Sequence, residues 1–539
     1  MAQGLRVLGA VIAGLLVGAT LLWLVPLGIA YLDGDKAIAM WVLSDFWHHP
    51  LRGYWWVVAI YERIDSGLRL AAAVPAVALG AGASASIWHV SGRLAAGTWR
   101  DALVRGSRVV SSDDIPAKRL YYRWKGERGW KDNLKVGGVP IAVEAEVQHV
   151  LISGATGTGK SQIMDGFLRT LRARGARCLV IDHSGGALSR HGGPEDWLLN
   201  PFDRRSVAWS PFAEIFNEYD YRRIANAIIP DPIDGAGDKA EWLRYGQGLL
   251  ADLLRVLKLR GEESPRELHR WISAAGPTEL RKVLAGTTSA IFSEPANAKL
   301  LGSVRGVITP YVRFLEHLPA AGNRFSVRKW IQDETDRGWL FLTYKEDQLD
   351  ELRQFLSCVS AVAMVEALSL RESDQRRLFF FLDELATLGH LGRVPDILTK
   401  LRKNGGCVVL SVQVLSQLRA IYGRDVAQAI IGNAATKVIL RQDDEETAKA
   451  WERQLGEREV KRLTGSQSQN RPGGFGRRSE GTSVTTQIVR ESVVMASELQ
   501  GLPDLKGIIS RTGKPHTWFA VEYVAMPARY EGFVPKGSR

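Results

Sequence analysis

Apolar runs and helical spacings alternate along most of this chain. Uninterrupted apolar runs at 147–152, 178–181, 339–343, 378–382, 407–412 and 436–440 have the length and composition of strands buried on both faces. Helical patterns lie between several of them. After the first run, Ile163, Phe167, Leu168 and Leu171 fall on one face of a helix over 162–174. This alternation predicts an α/β body with a mainly parallel sheet and helices on both faces. The interval between the second and third runs is too long for one crossover. Within it, 211–309 reads as helical, with helices at 221–229, 241–259, 266–274 and 278–285. Pro230, Pro232, Pro265, Pro277 and Pro295 punctuate them. The pattern predicts an inserted all-α domain over 211–309, flanked by two parts of the α/β body at 109–210 and 310–539.

The first hundred residues follow a different pattern. Residues 7–32 are almost wholly apolar, and so are residues 70–90, apart from His89. Each run exceeds the ~20 residues needed to cross a bilayer, so 1–108 is predicted to be a two-helix transmembrane anchor. A cleavable signal peptide headed by Arg6 is the rival reading of the first run. Arg93, Arg100, Arg105 and Arg108 follow the second run, whereas the loop between the runs carries Asp33, Asp35, Asp45, Glu62 and Asp65. That bias predicts an outward-facing loop and a cytoplasmic C-terminal body. Trp41, Trp47, Trp55 and Trp56 in the loop suit an interfacial belt. Residues 464–481, rich in Gly, Ser, Gln and Arg, are predicted to form a flexible surface loop, favoured as a hairpin excursion over a nucleic-acid contact.

Composition adds one constraint. The 539 residues carry a formal net charge of +12, which suits a phosphate-bearing partner or an anionic membrane surface. Cys178, Cys358 and Cys407 show no metal-ligand spacing; Cys178 and Cys407 lie in strand-like runs and read as buried free thiols.

Two of the apolar runs end in chemistry. The first leads into Gly154-Ala155-Thr156-Gly157-Thr158-Gly159-Lys160-Ser161, which fits the phosphate-binding P-loop in its proper strand–loop–helix setting. Its glycines let backbone N–H groups converge on phosphate oxygens at a helix N-terminus. Lys160 is placed to reach the outer phosphates, and Ser161 to ligate Mg²⁺. The run 378–382 ends in Asp383-Glu384. In a P-loop ATPase the first acid holds Mg²⁺ through water and the second polarises the attacking water. Bound ATP and Mg²⁺ are therefore expected, and the adjacent acids favour ATP hydrolysis with its own base.

The remaining motifs carry a family resemblance. They are Asn200-Pro201-Phe202-Asp203, Trp209-Ser-Pro-Phe-Ala213, Phe381 through Gly389, Lys400 through Gly406 with Leu410-Ser-Val-Gln413, and Glu498 through Pro503. Together with the anchor they resemble the type IV coupling proteins of conjugative and type IV secretion systems over essentially the whole chain. The resemblance implies a RecA-like P-loop ATPase that assembles as a homo-hexamer at the bacterial inner membrane. It implies sequence-independent binding of DNA, single strands preferred, and partners among relaxase and relaxosome proteins and channel components. It implies that Gln413 senses the γ-phosphate and that Arg402 acts as an arginine finger; a solvated helix end is the alternative for Arg402. One departure stands out: Asp182 is followed by His183-Ser-Gly-Gly where relatives often carry Pro-Lys-Gly. A receptor or scaffold whose nucleotide site regulates assembly, and an FtsK-like DNA translocase, remain alternative functions.

Overall fold

The computed structural model describes residues 102–112, 133–231, 238–319, 324–391, 394–470 and 479–537. The two apolar N-terminal runs lie outside these residues. Among the described residues no helix is long and apolar enough to cross a membrane.

A ten-stranded sheet organises the larger of two compact units, Gly106–Arg458 with Ser492–Arg539. In chain order its strands are β1 (Val109–Ser111), β2 (Val150–Ser153), β3 (Arg177–His183), β4 (Trp197–Leu199), β5 (Leu340–Tyr344), β6 (Leu378–Leu382), β7 (Gly406–Val412), β8 (Thr436–Ile439), β9 (Lys506–Arg511) and β10 (His516–Ala520). Their spatial order is β1-β10-β9-β8-β2-β7-β6-β3-β5-β4. The seven strands from β8 to β4 are all parallel. β9 joins β8 antiparallel and pairs with β10 as an antiparallel hairpin, extending the sheet at one edge.

The side chains of each central strand divide between two cores. Leu378, Phe380 and Leu382 pack on one face, Phe379 and Phe381 on the other. Burying each such side chain contributes about 1.5–3 kcal/mol, which accounts for continuous apolar runs rather than alternation. The thinner face is covered by α1 (Lys160–Ala173), which buries Ile163, Phe167, Leu168 and Leu171 as its spacing predicts. The short α2 (Gly186–His191) also lies on this side, burying Leu188. The thicker face carries the other long helices, including α3 (Asp220–Ile228), α4 (Asp238–Leu259), α5 (Ala298–Val312) and α6 (Leu349–Ala367).

The helical insertion is present, with two adjustments. Its helical run extends to His317, and parallel pairing of Ala208–Trp209 with Arg324–Phe325 closes its neck. Its apolar residues belong to the same core as one sheet face, so it does not bury a core of its own. Prolines set its boundaries by opening elements: Pro265 and Pro277 stand at the first helical position, where no N–H is needed.

The second unit, as far as it is described, is a three-stranded sheet. Ala102–Gly106 pairs with Glu457–Asn470, which pairs with Ser479–Ser492. Of the flexible loop expected over 464–481, residues 471–478 lie outside the described residues. Residues 464–470 and 479–481 continue strands, since ladder pairing satisfies their backbone even without apolar side chains to bury. Arg105 holds Glu459 there with two bonds of 2.7 Å.

Candidate nucleotide site

Parallel strands put all their C-terminal ends at one edge, and the predicted chemistry gathers there. β2 ends at Ser153, and the loop 154–159 turns the chain into α1, whose first residue is Lys160. Gly154 N–H donates to Val412 O (3.2 Å) and Ala155 N–H to Arg441 O (2.9 Å), tying the loop to the end of β7 and to the chain beyond β8. A side chain at Gly154 would meet Leu440 Cβ and Thr158 Oγ1 at 2.8 Å. Gly159 has φ +111°, a conformation that side chains resist. The α1 N-terminus has no side-chain cap. Its free N–H groups suit an anion.

Lys160 Nζ donates to Gly154 O (2.6 Å) and Ala155 O (3.0 Å), so its charge is held at the loop. Burial lowers its pKa, and Glu384 and Asp383 oppose that shift. Both acids follow β6, two strands away from β2, with β7 between. Ser411 on β7 joins them: its hydroxyl donates to Asp383 Oδ1 (2.9 Å) and accepts from Glu384 N–H (3.1 Å). Glu384 has φ +56°, rare for a residue with a side chain. Both its carboxylate oxygens are buried without a well-formed hydrogen bond. Burial raises its pKa, against the pull of Lys160, with Asp383 adding to the rise and nearby Gln413 opposing it. Gln413 directly follows β7, and its Oε1 accepts from Thr156 Oγ1 at 3.0 Å.

The structure therefore brings Lys160, Asp383, Glu384 and Gln413 to one place, beside the loop residues Gly154 to Ser161. Thr156, Gly157 and Ser161 are exposed and reachable by a ligand. The donor set fits a Mg²⁺–nucleotide: backbone N–H groups, one ammonium, one hydroxyl, one carboxylate and an unpartnered buried acid. Arg402 does not join them. It lies in the turn Arg402–Asn404 before β7, close enough to His149 to lower that residue's pKa, after burial. The seven residues of β7, roughly 20 Å of strand, separate that edge from the phosphate loop. His149 itself is a buried staple: Nδ1 accepts from Val408 N–H (3.1 Å) and Nε2 donates to Leu398 O (2.7 Å).

Three features escaped the sequence reading. Ser411 looked like any strand residue. Asp182, next to last in β3, ties down the first turn of α2: its oxygens accept the N–H groups of Ala187 (3.0 Å) and Leu188 (2.7 Å), while burial pushes its pKa up to about 6. A cavity of about 400 Å³ opens beside the first turn of α1, lined by Gln162, Gly166 and Lys135 and by Val521, Glu522 and Val524 of the C-terminal segment. That segment, residues 521–537, has almost no regular structure yet is fastened by its backbone. Val524 N–H donates to Gln162 Oε1 (3.0 Å), Arg529 N–H to Ser189 O (2.7 Å) and Val534 N–H to Asp203 Oδ2 (3.0 Å).

Residues 133–522 match the family described as the type IV secretion-system coupling protein DNA-binding domain. The chain belongs to the type IV coupling proteins. Coupling protein TraD of Escherichia coli (strain K12) is 28% identical over 441 residues, 80% of this chain; the chain spans about 60% of TraD's own length. Among solved structures, the conjugative coupling protein TrwBΔN70 in its unbound form superposes with a TM-score of 0.71 at 34% identity, covering 80% of this chain and 96% of that one. TrwB in complex with ADP and Mg²⁺ gives 0.70 at 34%, covering 81% and 98%. The likeness to TrwB thus fits the α/β fold with its mostly parallel sheet.

Proposed function

We propose that this coupling protein hydrolyses ATP and uses the turnover to pass DNA, or a protein substrate, into a type IV secretion channel during conjugation. One observation carries the reading. Residues from three separate strand ends come together at the phosphate loop, and among them is a buried glutamate whose carboxylate oxygens make no well-formed hydrogen bond. Unpartnered buried charge is costly, so such a group points to a role completed by a ligand. TrwB, solved with ADP and Mg²⁺ and with the ATP analogue ADPNP, supports the choice of ligand.

In this reading the loop N–H groups and Lys160 hold the outer phosphates. Mg²⁺, held by Ser161 and Asp383, offsets their charge when bound. Glu384 takes the proton of the attacking water, Ser411 keeps both acids in register, and Gln413 reports on the terminal phosphate. The 400 Å³ cavity against Gln162 and Val524 is room for the base and sugar. Residues 7–32 and 70–90 anchor the chain as a multi-pass protein of the inner membrane with its body in the cytoplasm. The net charge of +12 suits sequence-independent DNA binding that weakens with salt.

Arg402 is too far from this chain's own loop to serve it, so its catalytic role is in trans, within a homo-hexamer. Mixing Arg402→Ala with Lys160→Ala subunits tests this, since only action across a boundary restores turnover. No recovery in mixtures shown to co-assemble returns Arg402 to a structural role.

The function itself is tested by ATP hydrolysis on the purified full chain, with and without single-stranded DNA. Turnover that rises with DNA is expected. ATP bound but never hydrolysed under either condition would move the reading to a receptor or scaffold.

A further inference from the structure

At the opposite edge of the sheet lies a second polar cavity, of about 280 Å³. It sits where β8 and β10 begin and β9 ends, beside Ser107 and Arg108. Its lining carries Arg108, Lys437, Arg511, Lys514 and His516, and no acidic residue. Among the described residues none of the four Lys and Arg side chains meets a carboxylate at ion-pair distance, although this chain pairs many of its arginines elsewhere. Like charges gathered in a concave site repel one another, and among the described residues they meet only neutral acceptors, such as Ala434 O at Lys437 Nζ, rather than a counter-charge.

The hydrogen bonding is incomplete in the same place. Arg511 spends its two terminal nitrogens on Pro140 O (3.0 Å) and Thr517 Oγ1 (3.4 Å), leaving a buried Nε–H with no acceptor. His516 bonds Leu455 O through Nε2 (2.9 Å), and its buried Nδ1 has no partner. A buried donor without an acceptor is costly, and a guanidinium is well matched to phosphate oxygens. Burial lowers the pKa of Arg511, Lys437 and His516, in keeping with a site that lacks its counter-charge.

We propose that this cavity is a binding site for a phosphate group, that of an anionic phospholipid headgroup or free phosphate. It lies beyond the nucleotide site and takes no part in it. Three observations favour a single headgroup over a DNA strand. The volume suits one headgroup rather than a polymer. No aromatic platform other than His516 lines it, and single-stranded DNA binding relies on stacking. The chain reaches Arg108 directly from the N-terminal region, with only residues 91–107 between it and the second apolar run, and basic pockets on the cytoplasmic side of a membrane hold anionic headgroups.

The test uses the full chain in neutral detergent. Native mass spectrometry reads retained phosphatidylglycerol against phosphatidylcholine, and the unfolding temperature reads protection by inorganic phosphate alone. The comparison is with Arg108→Gln/Lys514→Gln, both exposed positions, and separately with Lys437→Met. Phosphatidylglycerol affinity should fall roughly tenfold or more in the double variant, given the worth of each cation near a lipid phosphate. Protection by inorganic phosphate that is lost in the variants, with phosphatidylglycerol held equally by all, assigns the site to free phosphate. Unchanged affinity for both probes in folded variants overturns the proposal. Loss of single-stranded oligonucleotide binding alone overturns it in favour of a DNA contact.

Discussion

Two buried glutamates of this protein have opposite surroundings. Glu214, at the entry to the helical insertion, is fully buried, and its two oxygens accept four donors: Trp209 Nε1 (2.8 Å), Ser326 Oγ (3.0 Å), Val327 N–H (2.8 Å) and Arg328 N–H (3.1 Å). Glu384, at the end of β6, has both oxygens buried and neither well bonded. Burial raises the pKa of both. The difference is what the fold does with the cost. At Glu214 it is offset by hydrogen bonds that lock the neck of the insertion. At Glu384 it is left standing, and the backbone there is held at φ +56°. A matched buried charge belongs to the architecture, and an unmatched one in a reachable site belongs to the chemistry.

The largest expected effect breaks this contrast most directly. Glu384→Gln should lower ATP turnover at least ~100-fold, the usual worth of a general base, while ATP still binds. Lys160→Ala should lose turnover as fully and weaken nucleotide binding too. Near-normal hydrolysis by the Gln variant would remove Glu384 from the role of base.

Glu214→Gln should do the reverse. An amide presents one acceptor oxygen where two are used, so one pair of donors loses its partner: Ser326 Oγ and Arg328 N–H, which share Oε2, or Trp209 Nε1 and Val327 N–H, which share Oε1. We expect a loss of about 3 kcal/mol in stability, seen as a lower unfolding temperature, with turnover per folded molecule unchanged. A turnover defect matching that of Glu384→Gln would show that the two sites are not separable.

Ser411→Ala sharpens the comparison within the site. It removes the link between Asp383 and the Glu384 backbone but leaves every ligand-facing group. Turnover should fall roughly tenfold, with a raised Mg²⁺ requirement, because Asp383 loses its orienting donor. Ser411→Thr should recover much of it. A purely structural Ser411 would lower stability without moving the Mg²⁺ dependence.

The smallest effect concerns pH. Glu384 has its pKa raised in the folded state, so its ionised form costs stability at neutral pH. That cost is relieved as pH falls from the folded pKa toward the unfolded value of ~4.3. Glu384→Gln should therefore be more stable than the parent at pH 8, and the gap should close on acidification through the glutamate range. A gap constant with pH would mean that Glu384 is not carried as a buried anion.

How much of this was legible in the sequence depends on distance along the chain. The phosphate loop and the Asp383-Glu384 pair are local: an apolar run fixes a strand, and the next residues fix the turn. Helix positions in the insertion were readable because Pro265 and Pro277 mark their first residues. β1, β4, β9 and β10 were not read. β1 and β4 have only three residues each, and Lys506–Arg511 and His516–Ala520 mix exposed with buried positions, so no continuous apolar run announces them. Strand order has no local signature, and it alone brings Ser411 between the two acids. It also places Arg402 at the far edge from the loop, a separation invisible while both were only motif positions.

The C-terminal segment carries a last consequence. Its fastenings to α1, α2 and the Asn200–Asp203 turn are made mainly by amides common to every residue but proline, so its path is written in the backbone. Side-chain changes along 521–537 should leave that path intact except at Gly532, where a Cβ would meet Ser184 O at 2.9 Å, whereas Arg529→Pro or Val534→Pro would unbuckle it one donor at a time. Apart from Gly532, such a segment can change its amino acids over generations while its route stays fixed, so chains with little identity there can still be wrapped in the same way.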